Sequence, residues 1–325
     1  MIGSFLIQGL TVNLHCEGYL FCVLSDYLES LSQGNICSTI ETVDLDLKIC
    51  KVSPPLPSDA VKEIKGPSIT YYIGKEKFYF HSKNGSLISL DTVRRKAKGF
   101  LTYEIFKKPS DFFMFITEPL AEMLKYTGLY FLHSAALVGN GISLLLSGTS
   151  GCGKTTTTLS LVVNGFKYVS DDTLLIKKLD KDVNVYPLYK SLNIDQDIAG
   201  RFPKIFKYKK NHFPKEIKIP IDISRKIPGS HIQSARPDAI IFPKIISNTK
   251  SELRPIGRLE VYKRLLGQTI LAIDKKVAKE QLNVLELLVK QTDGFELLSG
   301  KDLYENPGSI IYFIEQIKKI NENCK

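Results

Sequence analysis

The nine residues Ser147–Thr155, SGTSGCGKT, constrain the fold of this chain more than any other stretch of its sequence. They fit the pattern G-x-x-x-x-G-K-[S/T] at Gly148, Gly153, Lys154 and Thr155, which at average residue usage arises by accident in about one chain in a hundred of this length. The flanks add to it. An apolar run, Ile142 to Ser147, enters the loop and a helical pattern, Lys154 to Val163, leaves it, the strand–loop–helix order in which such a loop works. Glycines let the backbone curl until successive N–H groups point inward, and the helix N-terminus adds partial positive charge, so the segment reads as an anion cradle. The expected ATP contacts are Gly148, Thr149, Ser150, Gly151, Cys152, Gly153, Lys154, Thr155 and Thr156. Within them the Lys154 ammonium reaches the β- and γ-phosphates and the Thr155 hydroxyl ligates Mg²⁺. Cys152 occupies a variable position of the pattern and is assigned no chemistry.

Two further features acquire meaning from the loop. Ser170-Asp171-Asp172 follows a short apolar strand, one helix and one strand beyond it. Adjacent carboxylates at a strand end divide the work of phosphoryl transfer, one holding Mg²⁺ and the other accepting a hydroxyl proton; without the loop, the pair would be an ordinary acidic turn. His133 lies among Leu132, Ser134, Ala135 and Ala136, in an apolar run that pairs with the strand entering the loop. A lone histidine in such a run is otherwise a core residue, and the hairpin is what brings it toward a phosphate or a carboxylate.

Along the rest of the chain, Ser4 to Asn13 and Asp44 to Val52 alternate like strands, and Tyr19 to Ser32 has helical spacing. Ser68 to Ile73, Lys77 to Ser82 and Ser86 to Leu90 read as strands joined by turns at Gly74-Lys75-Glu76 and Asn84-Gly85. From Ser110 the pattern turns helical, with Pro119 as the first-turn residue of a second helix running to Tyr126. Tyr130 to Val138 and Ile142 to Ser147 form a hairpin about Gly139-Asn140-Gly141, and Phe166 to Val169, Leu174 to Lys177, Asn184 to Tyr189, Asp238 to Lys244 and Phe295 to Leu298 are further strands. Helical spacing covers Arg258 to Gly267, Ala278 to Gln291 and Gly308 to Ile320. The expected organisation is a β-rich α+β region over residues 1–109, suited to substrate or partner recognition, and a nucleotide-binding α/β part over 110–325.

Composition narrows the class of protein. A chain of 325 residues with 43% hydrophobic and 24% charged residues is a folded one, with enough length for a core and no need of disulfide or metal staples. Cys16, Cys22, Cys37, Cys50, Cys152 and Cys324 show no paired spacing, which points to a reduced chain. The N-terminal apolar run is broken by Gln8, so it does not read as a signal peptide. With no apolar run of spanning length, the expectation is a cytoplasmic protein with no membrane partner. The net charge of +10 is uneven, because the first 66 residues carry four basic and eight acidic side chains. The positive field therefore belongs to the nucleotide-binding part and suits a polyphosphate with an acidic partner. Residues 201–220 hold seven Lys or Arg against one Glu, interleaved with Phe202, Phe206, Tyr208 and Phe213. That pattern admits nucleic acid, but no reading module accompanies it, and the expectation is no nucleic-acid partner. Arg236, Arg254 and Arg258 are candidates for neutralising transition-state charge.

At this point the chain resembles a known family. Phe131-Leu-His-Ser-Ala-Ala-Leu-Val138, the glycine turn, the loop Gly148 to Thr155 and Gly165-Phe-Lys-Tyr-Val-Ser-Asp-Asp172 look like the catalytic core of HPr kinase/phosphorylase and its relatives, including kinases of peptide-modification systems such as lasso-peptide tailoring kinases. Phosphoenolpyruvate carboxykinases are more distant kin. The resemblance implies a carboxykinase-like P-loop fold with a mixed sheet, and self-association. It implies Asp171 as base toward a serine hydroxyl, Asp172 with Thr155 on Mg²⁺, Lys154 on the transferring phosphoryl and His133 in support. It covers residues 128–178 closely. Thr156 stands where HPr kinases proper carry a glutamate, and Pro228-Gly-Ser-His231 is at best a remnant of the segment tied to the reverse reaction. Both departures point away from HPr as acceptor.

Three readings follow. The first is an ATP- and Mg²⁺-dependent kinase acting on a serine of a peptide or small protein. The second keeps the chemistry with a small acceptor such as free serine. The third is an ATP-binding interaction module without catalysis.

Overall fold

Strand-forming alternation dominates the first 127 residues, and in a computed structural model it closes into one sheet. The structure describes residues 1–31, 41–66, 68–206 and 218–323, and its contacts fall into two units, Met1–Thr127 and Gly128–Lys325. In the first unit, β1 (Ile2–Ile7) and β2 (Leu10–His15) form a hairpin. Ser4 to Asn13, expected as one strand, thus bends back at Gln8-Gly9. Both turn residues have positive φ, 52° and 92°, a conformation advertised in sequence by Asn-Gly or Asp-Gly and not by Gln-Gly. Helix α1 (Gly18–Leu31) buries Leu20, Leu24, Leu28 and Leu31 at helical spacing and crosses to β3 (Glu41–Cys50), which lies parallel to β2. Then come β4 (Val61–Lys65), β5 (Ile69–Ile73), β6 (Phe78–Ser82), β7 (Leu87–Asp91) and β8 (Lys96–Thr102). The sheet runs β1-β2-β3-β8-β7-β6-β5-β4, with β3 and β8 parallel.

Helix α2 (Pro109–Tyr126) is continuous, and Pro119 lies inside it. The missing N–H of Pro119 costs one helical bond, against which the helix buries Phe112, Phe115, Ile116, Leu120, Met123 and Leu124. This corrects the expected second helix start. The helix packs on β6, so residues 110–127 belong to the contacts of the first unit.

The second unit is built on a six-stranded mixed sheet. Its strands are β10 (Ser134–Gly139), β11 (Ile142–Ser147), β12 (Lys167–Ser170), β17 (Ala239–Ile245), β18 (Glu252–Ile256) and β19 (Asp293–Ser299), in the order β12-β10-β11-β17-β19-β18. The pairs β11–β17 and β17–β19 are parallel; the others are antiparallel. Both faces are covered. Leu144 and Leu146 point to one side, toward Leu159, Leu161 and Val162 of α3 (Lys154–Val163) and Phe313, Ile314 and Ile317 of α8 (Ile310–Asn323). Leu145 points to the other, toward Val261 and Leu265 of α5 (Arg258–Leu266) and Leu285 and Leu288 of α6 (Lys275–Gln291). Burial on both faces is why β11 reads as a continuous apolar run. Beside this sheet, β9 (Tyr130–Leu132), β13 (Leu174–Leu179) and β14 (Asp182–Pro187) form a three-stranded sheet, and β15 (Leu192–Ile194) pairs with β16 (Ile219–Ile221) around α4 (Gln196–Arg201). Helix α7 (Lys301–Glu305) follows β19. Among the described residues no helix is long and apolar enough to cross a membrane.

Candidate active site

The glycine loop is held open by its backbone. Gly148, Gly151 and Gly153 have φ of 145°, 82° and 104°, all in the region where a Cβ is disfavoured, and Gly153 is the N-cap from which α3 starts. At its entrance the Ser134 hydroxyl donates to the Ser147 hydroxyl at 2.8 Å, both buried, and this pins the end of β11 to the start of β10. Thr149, Ser150 and Gly151 form the exposed crest, with Cys152 and Thr156 half-buried behind it.

Lys154 bends back over the loop. Its ammonium donates to the Gly148 carbonyl at 2.6 Å and the Thr149 carbonyl at 3.2 Å, and lies 3.1 Å from Nε2 of His133. An ammonium can only donate, so Nε2 accepts and the imidazole proton resides on Nδ1, which faces Asp172 Oδ1 at 3.4 Å. Burial lowers the His133 pKa, with the Asp172 charge opposing and the Lys154 charge assisting; the ring is neutral at pH 7. The chain thus aligns Lys154, His133 and Asp172 in one file. His133 was expected within a strand. It instead occupies the break between β9 and β10, where the chain leaves one sheet for the other, and its N–H is held by the Gln268 carbonyl at 2.8 Å.

The two aspartates occupy opposite environments. Asp171 is 1% exposed; its Oδ2 accepts from the Thr155 hydroxyl at 2.9 Å, while Oδ1 is buried without a protein partner. Burial pushes its pKa up to about 6 against the pull of the Thr155 hydroxyl. The side chain of Asp172 is 44% exposed and opens onto a cavity of about 180 Å³ shared with Ser150, Lys154, Thr155, Thr156 and His133. This burial separates the two carboxylates by exposure. Asp172 faces the open cavity, whereas Asp171 faces the core. The carboxylate that accepts from the Thr155 hydroxyl is Asp171.

Sequence reasoning missed the far wall of this cavity, formed by Asp195, Asp197, Arg201 and Lys218. Asp195 is the N-cap of α4, accepting from the Ile198 N–H at 2.9 Å, a signal legible in Asp195-Gln-Asp-Ile. Arg236 pairs with Asp182 and Asp238, and Arg254 with Glu252; neither lines the cavities at the loop, whereas Arg201 and Arg264 do. In the basic-aromatic segment, Phe202 and Phe206 are core residues, which removes them from any exposed stacking surface. Lys207, Tyr208, Lys209, Lys210 and Phe213 lie outside the described residues. Pro228–His231 straps the sheet edge, with the Ser230 carbonyl accepting from Tyr168 N–H and Ile232 N–H donating back to the Tyr168 carbonyl.

Among the described residues no group of three or more His, Cys, Asp or Glu side chains is placed to hold a metal by itself. No protein-family model matches the chain, and no curated protein matches it. Among solved structures it is similar to the Hpr(Ser) kinase/phosphatase from Coxiella burnetii, with 11% identity and a TM-score of 0.33, over 59% of this chain and 98% of that one. Similarity at that level establishes neither fold nor activity.

Proposed function

We propose that this chain is an ATP- and Mg²⁺-dependent kinase that transfers the γ-phosphoryl group to a serine hydroxyl of a peptide or small protein. One observation carries the reading: a single cavity wall brings the glycine loop, Lys154 and Thr155 together with the His133–Asp172 pair. The mixed sheet, in which an antiparallel hairpin feeds the loop and two parallel strands follow, supports a carboxykinase-like P-loop fold. The likeness of residues 128–178 to HPr-kinase-like kinases supports serine as acceptor, and the basic field of this part of the chain favours an acidic one.

Mg²⁺ takes oxygen ligands and keeps several of its waters. The Thr155 hydroxyl fits that donor chemistry, and the Asp171 carboxylate, which accepts from that hydroxyl, fits as the group that holds it in place. They would hold the ion, which when bound neutralises charge on the β- and γ-phosphates. Lys154 exchanges the Gly148 and Thr149 carbonyls for phosphate oxygens. His133, neutral and donating from Nδ1, orients Asp172. The acceptor oxygen attacks the γ-phosphorus, its proton passes to Asp172, and the bond to the β-phosphate oxygen breaks to release ADP.

Purified protein incubated with labelled ATP, Mg²⁺ and candidate peptides, and separately with small metabolites including free serine, should yield ADP and a phosphoserine product detectable by mass spectrometry. Phosphorylation of metabolites alone would move the acceptor to the small-molecule class. Binding of ATP with neither ADP nor a phosphorylated product from any acceptor would leave an interaction module and sink the enzyme reading.

A further inference from the structure

The cavity at the loop continues past it. Gly153, Thr156, Arg201 and Ile245 line both the phosphate cavity and a neighbouring slot of about 140 Å³. One side of the slot is the first turns of α3, where Thr157 and Ser160 present hydroxyls; the other is apolar, with Ile246, Leu303 and Ile310. At the slot stand two large apolar side chains that the fold leaves in water, Ile245 at 63% exposure and Tyr304 at 57%. The Arg201 guanidinium lies 3.8 Å from the Tyr304 ring centroid, and its Nε is buried without a partner. Arg201 therefore forms a flat platform with Tyr304 while keeping an unused donor.

We propose that this slot takes the aromatic base of the nucleotide whose phosphates the loop holds, with Tyr304 and Arg201 as its stacking surface; the inference rests on the nucleotide reading above. Direction along α3 supports it. Lys154 marks the terminal-phosphate end beside His133, Thr156 borders both cavities, and Thr157 and Ser160 follow within two turns. A ligand filling both spaces is a polyphosphate at one end and a flat apolar ring at the other. A lipid tail or a peptide side chain has no reason to lead into the phosphate loop. Arg201 serves both ends, since it stacks in the slot and lines the phosphate cavity.

The test compares ATP with inorganic tripolyphosphate by calorimetry on the full chain, as wild type, Tyr304→Ala and Tyr304→Phe. Tyr304 is largely exposed, so neither substitution threatens the fold. Loss of one base stack should weaken ATP binding about tenfold in Tyr304→Ala, leave tripolyphosphate within about twofold, and be reversed in Tyr304→Phe. ATP binding by Tyr304→Ala equal to wild type overturns the slot and leaves the nucleotide reading standing. So does tripolyphosphate binding as tight as ATP in the wild type, an equal loss of both ligands in Tyr304→Ala, or a failure of Phe to restore binding. A wild-type chain that binds neither ligand overturns the nucleotide reading and the slot with it.

Discussion

The ammonium of Lys154 lies 3.1 Å from Nε2 of His133, and the opposite ring nitrogen of that histidine faces Asp172. A cation, a neutral ring and a carboxylate thus stand in line at the phosphate loop. Replacing Lys154 with Met removes the only member that can meet phosphate charge directly. Transfer should fall by about 10²–10³ in kcat, the usual cost of losing a positioned electrostatic donor, with the melting midpoint within a few degrees of wild type. Unchanged turnover would detach the loop from the chemistry.

The two aspartates should separate by phenotype. Asp172→Asn removes the exposed carboxylate proposed as proton acceptor and should lower kcat by about 10²–10⁴ with nucleotide affinity and Mg²⁺ requirement retained. Asp171→Asn keeps an oxygen for the Thr155 hydroxyl but loses the buried negative charge, so half-maximal activity should need a higher Mg²⁺ concentration. A titration of activity against Mg²⁺ for both variants decides the assignment; identical Mg²⁺ curves would refute it.

Glu118 on α2 offers a pH test remote from the site. Burial raises its pKa above 4.5, with the Tyr71 hydrogen bond and Lys125 opposing. The folded state therefore binds more proton than the unfolded one between the two pKa values, and stability falls as pH rises through that interval. Glu118→Gln removes the charge, so it should melt higher than wild type at pH 7 and no higher at pH 4. Thermal scans at the two pH values check it, and an advantage confined to pH 4 would reverse the sign.

Gly294 in β19 is a packing constraint. A Cβ there would meet Val261 Cγ2 at 2.2 Å and the Ile256 carbonyl oxygen at 3.2 Å, with one neighbour on a helix and the other on the adjacent strand. Gly294→Ala should destabilise by about 1–3 kcal/mol, the usual cost of overpacking, visible as a lower urea midpoint with an unchanged slope.

Arg236 and Arg254 make exposed ion pairs with Asp182, Asp238 and Glu252, and such pairs are worth about 0–1 kcal/mol. Alanine at either position should leave kcat/KM within about twofold of wild type. A large loss in steady-state assays would return that arginine to the list of transfer residues.

Much of the glycine-loop side of the second unit was legible because its physics is local. The loop, the helix from Lys154 to its Asn164-Gly165 end and the hairpin before it follow from glycine placement and apolar runs, and the observed elements match them nearly residue for residue. Sheet change was not legible. Tyr130 to Val138 is one apolar run in sequence, and nothing in it marks His133 as the point where two sheets part, since that depends on the partners β13 and β11. Which of Asp171 and Asp172 is buried is equally invisible in sequence, because the two follow directly on β12 and only the packed structure decides which faces the core. Strands β4, β8 and β18 escaped for a simpler reason. Their charged residues, Lys62, Glu63 and Lys65 in β4, Lys96 and Lys98 in β8, and Glu252 and Arg254 in β18, leave too little apolar alternation to announce them.

Every residue of the proposed transfer chemistry, from His133 to Asp172, falls within forty consecutive positions, and the strands that carry them, β12, β10 and β11, are immediate neighbours. Selection can therefore hold this segment fixed as a heritable block while the rest of the chain drifts. The outside tether on His133 is the Gln268 carbonyl, a backbone atom that any residue at position 268 supplies. Changes of acceptor in the course of descent thus need not disturb the phosphate chemistry, and a detectable ancestral trace should persist here long after the remaining sequence has lost it.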